Sequence, residues 1–176
     1  MKRTFEKVFA GILGKPCWDV KPGQGSFLTL EFGKPHLVVR EPIAASKNAS
    51  ARVRELLARR QVHARGEWHL WIYYCNWEVC CRGKRVGDSS TRMSTRRAAD
   101  FLNGQKLIRV SILPRKVQSI FVFDLGATLK TIPYDKEGEQ WMIFEPSHKV
   151  LALRADGQYK HVRSDLSVDD GVWKPV

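Results

Sequence analysis

The sequence predicts an α+β fold, mostly antiparallel sheet with two or three short helices, and three observations carry that reading. Short runs rich in Val, Ile, Leu and aromatic residues recur along the chain, each bounded by Gly, Pro or charged turn residues. Two stretches place apolar residues at helical spacing and stop at glycine. No apolar run nears the ~18 residues of a membrane span, and 176 residues with 43% hydrophobic content suffice for one domain, 1–176, with a buried core.

The elements follow in order. In residues 3–13, Phe5, Val8, Phe9 and Ile12 share one helix face and Gly14 supplies the stop. After KPGQG, Leu28, Leu30 and Phe32 alternate with Phe27, Thr29 and Glu31. Gly33-Lys34-Pro35 then separates this strand from HLVVRE, so the two are expected to pair as a hairpin. IAASKNASA suits a loop, and ARVRELLARR a short helix with an apolar stripe of Val53, Leu56 and Leu57 that ends at Arg60. Residues 67–79 are apolar on both alternating faces, Trp71, Tyr73, Cys75 and Trp77 against Leu70, Ile72 and Tyr74, which predicts one central strand covered on both sides. The polar turn CRGKRVGDSS leads to a helix in TRRAADFL, N-capped by Ser94 or Thr95 and ended by Asn103-Gly104. KLIRVSI, QSIFVFDL, TLKTIPY, QWMIFEP and KVLALRA read as further strands.

Two halves share this order. Ile12-Leu13-Gly14 with Trp18 and Val20 matches Leu102-Asn103-Gly104 with Ile108 and Val110, and each is followed by a Phe-centred strand and, later, a Trp strand. The match outlines an internal repeat, 3–72 and 94–146, with a basic insertion at 43–66 in the first copy and two helix-plus-hairpin units about a pseudo-twofold axis.

Charge is the other organising feature. The chain carries 30 Lys and Arg against 18 acids, a net +12. Residues 47–97 hold ten Arg and two Lys against four acids and so account for +8, whereas 156–176, with Asp156, Asp165, Asp169 and Asp170, sum to −1. Arg dominates where planar, two-pronged contacts to phosphate or carboxylate matter. The residues expected to meet a nucleic-acid backbone or an acidic protein are Arg52, Arg54, Arg59, Arg60, Arg65, Arg82, Lys84, Arg85, Arg92, Arg96 and Arg97. No recognition helix, zinc finger or paired aromatic motif accompanies them, so contacts to nucleic acid are expected at the backbone.

Nothing in the sequence outlines a catalytic constellation. Glu67 and His69, two apart on one strand, are the one candidate acid/base pair, set against a plain polar strand edge. Gly23-Gln24-Gly25-Ser26 is followed by a strand where a phosphate loop needs a helix, so a turn is expected. The four cysteines read as reduced thiols of a cytoplasmic protein, and neither cofactor nor metal is expected. The one set with any claim to zinc, His69, Cys75, Cys80 and Cys81, lacks the paired C-x-x-C spacing. The start of the chain, with Glu6 and Lys7 among its apolar positions, is unlike a signal peptide.

The repeated pattern, Leu13-Gly14 with Trp18 and Val20 before FLTLEFG, then Leu102-Asn103-Gly104 before IFVFDLG, resembles the small β-rich bacterial immunity-like proteins of toxin systems. The resemblance implies a non-enzymatic blocker with one protein partner; blockers of nucleases, however, present an acidic face, and this chain is basic. Three expectations result. They are a binding protein that engages nucleic acid or an acidic protein, as an accessory subunit of a bacterial defence or mobile-element system; an immunity-like inhibitor; and an enzyme built on Glu67 and His69.

Overall fold

The computed structural model describes residues 2–113, 116–165 and 171–176, so Asp169 and Asp170 of the acidic C-terminal count lie outside the described residues. The chain forms α1 (Lys2–Ala10), β1 (Cys17–Pro22), β2 (Leu28–Phe32), β3 (His36–Arg40), α2 (Ala51–Leu57), β4 (Gln61–Arg65), β5 (Trp68–Ile72), β6 (Asn76–Cys81) and β7 (Lys84–Asp88). These are followed by α3 (Arg92–Leu102), β8 (Leu107–Leu113), β9 (Gln118–Phe123), β10 (Ala127–Ile132), β11 (Glu139–Phe144), β12 (Lys149–Arg154), β13 (Gln158–Arg163) and β14 (Lys174–Pro175). The fold is α+β with antiparallel sheets, and among the described residues no helix is long and apolar enough to cross a membrane.

Two sheets build the body, a seven-stranded one of order β1-β2-β5-β11-β12-β13-β14 and a five-stranded one of order β7-β6-β10-β9-β8. The central strands turn one face inward by alternation, Leu28, Leu30, Leu70, Trp141 and Ile143 from the first sheet meeting Trp77, Phe121, Phe123 and Leu129 from the second, while β12 is buried on both faces. Trp141 lies in the middle. Its Nε1 donates to Ser119 Oγ at 2.8 Å, and Phe5, Phe9 and Phe121 meet it edge to face, so α1 is locked against both sheets. On the opposite flank α3 buries Thr95, Ala98, Ala99 and Leu102 against β7 and β1.

The connections are reciprocal. The three-stranded meander β1-β2-β5 continues into the hairpin β6-β7, which joins the other sheet beside β10, while β8-β9-β10 continues into β11-β12, which joins the first sheet beside β5. Where the two halves touch, the hydrogen bonds mirror one another. Gly14 N donates to Leu107 O and Gly104 N to Cys17 O, both at 2.7 Å, while Leu107 N donates to Lys15 O and Cys17 N to Gln105 O. Gly14 (φ +78) and Gly104 (φ +90) hold left-handed conformations that an L side chain would strain.

Four expectations about elements are corrected. The stretch 67–79 is two strands in different sheets, because Tyr73-Tyr74-Cys75 carries the chain from one layer to the other; Trp71 and Tyr73 therefore lie on the outer face while Cys75 and Trp77 are buried. Strands β2 and β3 do not pair with each other, β2 pairing β5 and β3 pairing β4. The N-cap of α3 is Thr91, whose side chain accepts from Ser94 N, so the helix starts three residues earlier than Thr95. Helix α2 ends at Leu57 and buries no residue, leaving Val53 and Leu56 exposed.

Candidate polyanion-binding arm

The β2–β5 ladder ends at Phe32↔Trp68 and resumes as β3–β4 from His36↔Arg65 to Arg40↔Gln61. The result is one long ribbon whose outer part leaves the body as an arm: from Lys34 to Arg65 no residue is buried. Its root is held on both strands. Trp18 Nε1 donates to Gly33 O at 3.0 Å, Lys34 N donates to the Glu67 carboxylate at 3.0 Å, and Gly66 N donates to the buried Glu31 carboxylate at 2.9 Å. At the far end α2 is braced by polar contacts in place of a core. Arg40 Nη2 and Gln61 Nε2 both donate to Leu56 O, Ile43 N donates to Leu57 O, and Ser50 caps the helix by accepting from Val53 N.

The arm concentrates charge and aliphatic surface together. Residues 34–65 contain eight Lys and Arg against two Glu, a net +6 that is half the charge of the chain. Arg59 is paired with Glu55, Arg60 donates to both oxygens of Glu41, and Arg54 Nε is used on Ala49 O. Among the described residues Lys34, Lys47, Arg52 and Arg65 have no acidic partner and no side-chain hydrogen bond, so they offer the arm's uncommitted cations. Strand alternation then sorts the ribbon into two faces: His36, Val38, Arg40, Gln61, His63 and Arg65 on one, Leu37, Val39, Val62 and Ala64 on the other. The second face is open, with Leu37 72% exposed and Val62 54%.

The other sequence-predicted cations lie on two further elements, all of them exposed. Arg92, Arg96 and Arg97 are on α3; Arg92 and Arg96 line a groove with Lys21 and Asn103, and this groove runs into a second one between Trp18, Lys21 and the arm's Val62, His63 and Ala64. The acids Asp19 and Asp100 stand in the same channel, Asp19 paired with Lys21 at 2.7 Å. Arg82 is in the β6–β7 turn of the five-stranded sheet, beside Gly126, and Lys84 and Arg85 open β7, with Arg85 paired to Asp88. The structure thus joins the arm to α3 through Lys21, which by sequence belongs to the KPGQG turn and in the structure lies in β1.

The catalytic and metal candidates separate. Glu67 is spent on Lys34 N and lies 3.9 Å from Lys15 Nζ, whereas the carboxylate beside His69 is Glu31, with Oε1 2.6 Å from Nδ1. That contact is close but off the line of a hydrogen bond, and Nε2 has no partner either; burial pushes the imidazole below its usual pKa. Cys75 is in the core, where its thiol donates to Gln140 O, and burial pushes Cys75 and Cys17 up to about 12, which makes both poor nucleophiles. Cys80 and Cys81 are successive residues of β6 and so point to opposite faces of the other sheet. Among the described residues no three His, Cys, Asp or Glu side chains gather closely enough to hold a metal ion. Gly23–Ser26 is the β1–β2 connection and lines an open pocket of about 710 Å³ with Ser89, Thr91 and Arg92.

No family model, curated protein or solved structure matches the chain.

Proposed function

We propose that the protein is a non-enzymatic binding protein whose arm, residues 34–65, engages the phosphate backbone of a nucleic acid. One observation carries this reading: a braced ribbon without a single buried residue bears +6, and its cations Lys47, Arg52 and Arg65 have no acidic partner among the described residues. An unpaired cation on such an element is free to displace the counterions of a polyanion, the main source of affinity for nucleic-acid backbones. Lys21, Arg92 and Arg96 extend the cationic surface onto the body. An acidic protein, the partner of an inhibitor or immunity-like protein, is the second reading, favoured by the exposed aliphatic face of the ribbon.

The test is a salt titration of binding to a short duplex. The logarithm of affinity is expected to fall linearly with the logarithm of salt concentration, and Lys47→Glu/Arg52→Glu/Arg65→Glu to make that slope shallower by about 0.9 for each phosphate that goes unneutralised. Absence of binding at low salt would remove the nucleic-acid reading and leave the acidic protein.

A further inference from the structure

We infer that the arm recognises double-stranded DNA by lying in its major groove with the Leu37, Val39 and Val62 face toward the base edges; this rests on the nucleic-acid reading above. Three properties of the arm distinguish a duplex from other polyanions.

The first is an absence from its composition: residues 34–65 contain no Trp, Tyr, Phe or Met. Single strands are held largely by stacking unpaired bases on aromatic side chains, and the centres of protein interfaces are rich in aromatic residues and Met. Apart from the imidazoles of His36 and His63 the arm has no ring to stack on a base, and it has no aromatic or Met anchor for a protein pocket.

The second is shape. A two-stranded ribbon, its strands about 5 Å apart, is one of the two elements that the roughly 12 Å major groove admits. The ribbon here has no third strand on either edge, faces the body across a groove along β4, is five residues deep on each strand, and is anchored at its root by Glu31, Glu67 and Trp18. Helix α2 lies toward the polar face, where Arg40 and Gln61 grip Leu56 O, so the aliphatic face is the one left open.

The third is the order of chemistry across the arm. A major groove has base edges, including thymine methyl groups, at its floor and phosphates along both walls. The ribbon turns Leu37, Val39 and Val62 to the floor and holds Arg40 and Arg65 on its opposite face, toward the rim of a groove about 8.5 Å deep where the phosphates run. The groove between Val62 and the body continues to Arg92 and Arg96, and these two arginines, beyond the Lys21–Asp19 pair, are the cations that it offers to one phosphate strand. Thymine methyls are the apolar feature of that floor, so the aliphatic face adds a preference for thymine to the contacts made by the charges.

The experiment compares an A·T-rich duplex, the same duplex with deoxyuridine for thymidine, and one of its single strands, at equal salt. The wild type is expected to bind the thymine duplex best, with a loss of about fourfold for each methyl no longer buried. Leu37→Ser/Val39→Ser/Val62→Ser, all exposed and so expected to fold with an unchanged thermal melt, should bind thymine and uracil duplexes equally while keeping the salt dependence. Equal wild-type binding to all three nucleic acids would overturn groove entry and leave backbone contact standing. Binding to poly-glutamate with none to any nucleic acid would overturn both.

Discussion

Glu31 is a buried carboxylate on the outer face of the seven-stranded sheet, and its position shows how one residue ties the arm to the body. One oxygen accepts Gly66 N at the root of the arm and the other lies against His69 Nδ1, so the arm's return strand and the sheet share one acceptor. Burial is the larger influence on His69 and lowers its pKa from the usual 6.5, while the neighbouring Glu31 charge opposes the shift without cancelling it. The imidazole is therefore neutral in the folded protein at pH 7. In the unfolded chain it takes up a proton near pH 6.5, and the folded protein resists doing so until a lower pH, so the unfolded state binds more protons between the two values. Stability then falls as the solution is acidified through that window, by at most about 1.4 kcal/mol per pH unit from this group. Urea midpoints measured from pH 7.5 to 5.5 should drop for the wild type and drop less for His69→Gln. Equal slopes for the two proteins would assign the dependence to another group.

Among the elements, Gly66 marks the joint between ribbon and arm. A Cβ there would lie 2.5 Å from Phe32 O and 2.8 Å from Phe32 N, both backbone atoms of the neighbouring strand, so neither can swing aside. Gly66→Ala should separate β2 from β5 at this point and cost about 1–3 kcal/mol, the usual range for overpacking, measured by equilibrium denaturation; an unchanged midpoint would show that the joint can relax. How far such elements could be read in advance depended on what local residues encode. The strands from β8 to β12 announce themselves by alternation and turn residues, whereas β13 and β14 are not among those the sequence predicts, and Asn103-Gly104 ends α3 as its composition requires. In 67–79 both faces of the run are apolar, so period alone does not show that the chain changes sheet at Tyr73-Tyr74-Cys75. The pairing of β3 with β4, 21 residues from Arg40 to Gln61, is a tertiary choice, and the Gly33-Lys34-Pro35 turn that resembles a hairpin is instead the kink at the arm's root. The arginines were legible by composition. The Glu55–Arg59 pair is local, four residues apart, but the pairing of Arg60 with Glu41 was not legible, because these two meet only once the arm has folded.

At the scale of the whole molecule, the body and the arm are stabilised by different means, and that difference is testable. The body closes on itself: each half lends a hairpin to the other's sheet, α1 and α3 cover opposite flanks, and one continuous set of buried side chains runs from Phe5 to Tyr159. Nothing between Lys34 and Arg65 enters that set, so removing the arm takes away no core surface. Phe32 and Trp68 are already paired across the ladder, which lets Gly33 and Gly66 be joined directly, ahead of Glu67, to form a short connection. A chain lacking residues 34–65 is expected to fold, with a loss of about 1 kcal/mol for the Lys34 N bond to Glu67. Its net charge falls to +6, since the excised segment carries the other six. Circular dichroism and thermal denaturation should report an intact body, while affinity for a short duplex should vanish and not merely weaken in proportion to charge. If the shortened chain still bound with most of its affinity, the site would lie on the remaining cations of α3 and the β6–β7 turn; if it failed to fold, the arm would be a structural part of the sheet from which it projects.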